Sequence, residues 1–129
     1  GFDDWTFTQD VAKTGVNCRA IRRNAGQLDV MAFQSSGIGY VSLDANGVTG
    51  EFPFVMLRLG SGDLTIGAVA SGGRLVLGPL NEFTLDAIAE EGGYSYALPG
   101  TGGGGDVDLG DRAGEALDRI FACLEANAR

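Results

Sequence analysis

Apolar and polar residues alternate with a period of two through most of the first 78 residues, the spacing of strands that bury one face. Trp5 and Phe7 alternate with Thr6 and Thr8, which predicts an opening strand with its aromatic face inward. A second strand is expected over 16–23, ended by the turn Asn24-Ala25-Gly26. In a third, reaching about Gln34, Leu28, Val30 and Ala32 face one way and Asp29 and Met31 the other. Ser35-Ser36-Gly37 turns the chain into a strand over 38–43, and Asn46-Gly47 suits a tight turn with positive φ. The most apolar strand is expected over 52–59, with Pro53 tolerated on a sheet edge because it lacks an N–H and Arg58 at its wet end. Segments 64–70 and 74–77 pair around Ser71-Gly72-Gly73, so the first 78 residues read as a meander.

The period changes after Gly78-Pro79-Leu80, which is expected to open a helix. Leu80, Phe83, Ala87 and Ile88 fall on one side of it, and Gly92-Gly93 supplies a left-handed stop. Alternation returns over 94–98, and 102–105 read as a flexible glycine loop before a last short strand carrying Val107 and Leu109. From Asp111, expected as N-cap, Ala113, Ala116, Leu117, Ile120, Phe121 and Leu124 recur at helical spacing. These elements predict one α+β domain over 1–129. Its expected architecture is an antiparallel, strongly bent sheet or partial barrel of about seven to nine short strands, covered by two helices from the C-terminal half.

Composition narrows the chemistry. The chain has no histidine, one lysine (Lys13) and two cysteines, so it holds no Ser-His or Cys-His pair, no histidine acid or base, and no Cys/His zinc cage. A non-catalytic protein is expected, with no cofactor and no metal. At 44% hydrophobic residues it can build a core, whereas its longest apolar stretch, Phe52 to Leu57, is far too short to span a bilayer.

The formal charge of −8 is unevenly placed: residues 1–80 hold seven acids and six bases, net −1, and residues 81–129 hold ten acids and three bases, net −7. An acidic C-terminal part repels phosphate backbones and anionic headgroups, so a protein partner is expected and nucleic acid is not. The alternative binding class is an acidic inhibitor or immunity protein neutralising a secreted basic enzyme. A third is a carrier of a small apolar ligand. Cys18 and Cys123 are an even pair, compatible with one disulfide that pins the last helix to the sheet, although two buried free thiols also fit the count. The chain opens without a basic and apolar leader, so any export signal is expected to have been removed before Gly1.

Asp106, Asp108 and Asp111 lie within six residues beside the glycine run, a way in which calcium ligands are supplied. The calcium-loop frame nevertheless fails: counting from Asp106, the glycine position holds Asp111 and the last ligand position holds Leu117. They are read instead as an acidic helix start and, with Tyr94 and Tyr96 on one strand face, as the expected partner contact. Arg22 and Arg23 point to opposite faces and are read as edge protection or ion-pair partners.

Asp4-Trp5 at the start, Cys18 in the second strand, Gly78-Pro79-Leu80, the run Asp86-Ala87-Ile88-Ala89 and the stretch Leu109 to Cys123 with Ala116-Leu117 resemble, in order and layout, invasion-associated locus B proteins. The resemblance spans most of the chain. It implies a periplasmic or secreted bacterial accessory domain without catalytic residues.

Overall fold

The computed structural model describes residues 5–100 and 103–128. Nine strands form one antiparallel sheet: β1 (Trp5–Ala12), β2 (Gly15–Asn24), β3 (Gln27–Gln34), β4 (Gly39–Asp44), β5 (Gly50–Leu59), β6 (Gly62–Ser71), β7 (Arg74–Leu80), β8 (Gly93–Leu98) and β9 (Gly103–Asp108). Helix α1 (Glu82–Glu91) lies between β7 and β8, and α2 (Ala113–Ala126) follows β9. The α+β class, the bent sheet and the two C-terminal helices are as the sequence predicts.

The order is β1-β2-β3-β4-β7-β6-β5-β8-β9, which corrects the simple meander. Strands β5, β6 and β7 form a hairpin unit that folds back so that β7, not β5, pairs with β4, leaving β5 to pair with β8. Strand β5 is interior, but its ladder with β8 spans only Met56 to Arg58, so at Pro53 the side toward β8 is unpaired, as on an edge. Pro53 is accommodated by a register shift between Phe52 and Val55, where the ladder is interrupted and a missing N–H costs little. The sheet stays open, with β1 and β9 at its ends. It curls far enough that Arg22 on β2 donates from Nη1 to the Asp108 carbonyl at the end of β9, at 2.7 Å. With β2 paired on both sides, Arg22 and Arg23 do not protect an edge.

Both helices cover the same sheet face. Register places Ala20, Met31, Val41, Leu77 and Ala68 in one row of that face, all buried, and Leu85, Ile88, Leu117 and Ile120 close over it from the helices. The middle of β3 is buried on both faces, Val30 and Ala32 as well as Met31 and Phe33. On the outer face Arg74 donates to the Leu28 carbonyl, Asp44 and Ser42 at 2.6 to 2.7 Å, tying β7 to β3 and β4.

Helix α1 begins later than expected. Pro79 and Leu80 belong to β7, and Asn81 is the N-cap, its side chain accepting the Thr84 N–H at 2.8 Å. The buried stripe is Leu85, Ile88 and Ala89, while Phe83 is 81% exposed, so the predicted apolar face is rotated. Gly92 ends the helix at φ 74°, the left-handed stop that was expected. Helix α2 starts after Arg112, which makes no side-chain cap; Asp111 is not the N-cap, and Arg112 instead pairs with Glu115 at 2.6 Å.

Candidate functional site

Two surface regions gather the residues singled out by sequence, one at each end of α2.

At the C-terminal half of α2, Cys18 and Cys123 are joined in a disulfide across a sequence separation of 105, Cα to Cα 6.3 Å. Cys18 is fully buried on β2, in register with Phe33, and Phe33 meets Phe121 of α2 edge-on with ring centroids 5.3 Å apart. The bond thus continues an aromatic and aliphatic seam between sheet and helix. A groove of about 400 Å³ opens onto it between β1 and α2, lined by Phe7, Gln9, Arg19, Arg119 and Ala122 with the two cysteines. Arg119 lies over the Phe7 ring at 4.8 Å, and Arg19 pairs with Asp10 at 2.7 Å. The hydrogen bond from Arg19 holds the Asp10 carboxyl below its ordinary range.

At the other end, α1, the β8–β9 ladder and the connection into α2 meet in an acidic corner. Asp106 and Asp108 on β9, Asp111 before α2, and Glu90 and Glu91 at the end of α1 line two adjoining shallow concavities of about 420 and 470 Å³, with Arg58 on the rim. Several of these carboxylates are held from behind. Glu91 accepts the Gly60 N–H through Oε1 and the Ser61 hydroxyl through Oε2. Asp106 accepts the Ser95 hydroxyl at 2.6 Å, and Asp108 accepts the Gly110 N–H at 2.8 Å. Among the described residues no three acid or cysteine side chains converge as a set of metal ligands.

The glycine run builds this corner by pairing rather than by flexing. Gly103, Gly104 and Gly105 form the first half of β9, opposite Leu98, Ala97 and Tyr96, and only Gly102 of the expected loop lies outside the described residues. A Cβ at Gly104 would stand 2.4 Å from the Tyr96 carbonyl oxygen, and one at Gly93 would stand 2.1 Å from that of Val107. The two strands approach closely because those positions have no side chain.

The predicted contact residues divide. Asp106, Asp108 and Asp111 are exposed in the corner. Tyr94 and Tyr96 do share a face, with ring centroids 6.5 Å apart, but it is the core face. Tyr94 is 5% exposed and its hydroxyl has no hydrogen-bond partner, so its side chain is a core group rather than a surface contact; Tyr96 is half-buried. Burial raises both phenols above their ordinary range.

Sequence reading missed Asp29 as a site. It is 5% exposed on the core face, and burial raises its carboxyl, opposed by the charges of Arg22 and Arg74 and reinforced by that of Asp44. The signal was present: in the alternation Asp29 falls on the same side as Met31. Comparison with protein-family models, with curated proteins and with solved structures finds no match for this chain.

Proposed function

We propose that the chain is an exported, disulfide-stapled, non-catalytic accessory domain that acts by contact with another protein, presenting its acidic corner to a basic or neutral partner. The observation that carries this reading is the gathering of Glu90 and Glu91 at the end of α1 with Asp106, Asp108 and Asp111 of the β9–α2 stretch onto one shallow surface. A corner of one sign steers association with a partner of the other. The Cys18–Cys123 bond supports an oxidising compartment, periplasmic or extracellular, since such bonds form and persist there. The likeness of layout to invasion-associated locus B proteins points the same way. Among the described residues no helix is long and apolar enough to cross a membrane.

The test is affinity capture from the source organism at low and high salt, with the native chain and the triple variant Asp106→Asn, Asp108→Asn, Asp111→Asn. The reading expects a partner whose association slows about tenfold or more in the variant and weakens with salt. A partner held equally by the triple variant and in high salt would move the contact away from the corner.

A further inference from the structure

The acidic corner sits above a buried carboxylate, Asp29, and its half-buried cross-strand neighbour, Arg22. Asp29 lies on the core face of β3, and Arg22 stands opposite it in the register of β2 and β3. The Arg22 guanidinium reaches outward: Nη1 donates to the Asp108 carbonyl at 2.7 Å, and a Cβ at Gly110 would come within 3.1 Å of Nη2. Arg22 thereby connects the strand pair holding the buried carboxylate to the floor of the corner, next to Leu109, which is fully buried and donates its N–H to the Gly92 carbonyl at 2.8 Å. The other charged or titratable groups acting on this node are Arg74 from β7, Asp44 from β4, and Tyr94 from β8 with its unpartnered hydroxyl.

We propose that Arg22 and Asp29 form a proton-sensitive latch beneath the acidic corner: with a proton on Asp29 the segment Asp108–Asp111 stays seated, and loss of that proton unseats it by drawing water in past Arg22. A carboxylate 5% exposed favours its neutral form, and burial raises Asp29 against the opposing charges of Arg22 and Arg74. The linkage has one sign. Ionisation favours any arrangement in which Asp29 is hydrated, so the seated state is complete below the ordinary aspartate range, about 3.9, and is lost as pH rises through the higher folded value. In that window the unseating equilibrium rises by up to about tenfold per pH unit. The latch gives the proposed contact surface a pH dependence and rests on that reading for its biological use, but its test needs no partner.

The experiment is residue-resolved hydrogen exchange of the whole chain across roughly pH 4 to 7, with rates corrected for intrinsic exchange. Protection of the Leu109 amide is expected to fall with rising pH in the native chain, below that of the Met31 and Val41 amides, and to be flat in Asp29→Asn. Arg22→Lys keeps a cation but loses the forked reach to Asp108, and it should lower Leu109 protection at acid pH toward the native value at neutral pH. This variant serves as the test should Asp29→Asn not fold. The latch is overturned by flat Leu109 protection in the native chain, by a pH dependence that survives Asp29→Asn, by exchange of Leu109 only together with Met31 and Val41, or by Arg22→Lys leaving its protection unchanged.

Discussion

The two ends of α2 are held to the sheet by different means. At the stapled end a covalent bond spanning 105 positions and the Phe33–Phe121 contact join residues distant along the chain, and side-chain volume does the packing. At the acidic end, glycines bring β8 and β9 close together, and backbone pairing, capping hydrogen bonds and the reach of Arg22 hold the corner. The stapled end tolerates thermal motion because its tie does not open by local fluctuation. The acidic end depends on many weak bonds near water, which is where local opening concentrates.

Removing the staple is the strongest way to break this contrast. Cys18→Ser with Cys123→Ser should cost about 4 to 5 kcal/mol in the chain-entropy account of a loop this long, read from denaturant midpoints under non-reducing conditions. A loss below about 1 kcal/mol would mean that the aromatic seam alone holds α2 to the sheet.

Next in size is Gly93→Ala, which puts a methyl into the Val107 carbonyl and should cost about 1 to 3 kcal/mol while unzipping β9 from β8. Hydrogen exchange should show the loss of protection confined to residues 93–98 and 103–108. A loss spread evenly over β1 to β4 would show that the two ends fold as one unit. The smallest change is Asn81→Ala, which removes the side-chain acceptor of the Thr84 N–H and should cost about 1 kcal/mol by thermal or denaturant melting. A neutral result would place the start of α1 under the control of Leu85 burial alone.

Sequence legibility followed the same division. The stapled end could be read almost residue by residue: Trp5 with Phe7, Cys18 and the α2 stripe of Ala116, Leu117 and Ile120 all fall where the periodicity puts them. The acidic end misled. A run of glycines is locally indistinguishable from a loop, and only the nearness of the Tyr96 and Val107 carbonyls makes those residues a strand and its partner. Tyr94 shares its strand face with Tyr96 and Leu98, opposite Ser95, an alternation that marks a common face without saying that this face turns to the core rather than to a partner. Phe83 satisfies one helical stripe as well as Leu85 satisfies another. The stripe that packs was chosen by the direction in which α1 leaves β7, which one-dimensional spacing does not encode.

What the chain determined by itself was local and additive: period-two strands, two C-terminal helices, an acidic second part, a cysteine pair compatible with a disulfide, and the absence of histidine chemistry. The tertiary structure decided the insertion of β5 to β7 beyond β4, the strand identity of Gly103 to Gly105, the burial of Asp29 and Tyr94, and the gathering of five carboxylates into one corner. The physical reason is that periodicity reports which face of an element is apolar. Strand order, sheet curl and the burial of a polar group depend on contacts between residues distant along the chain, whose energies no local pattern contains.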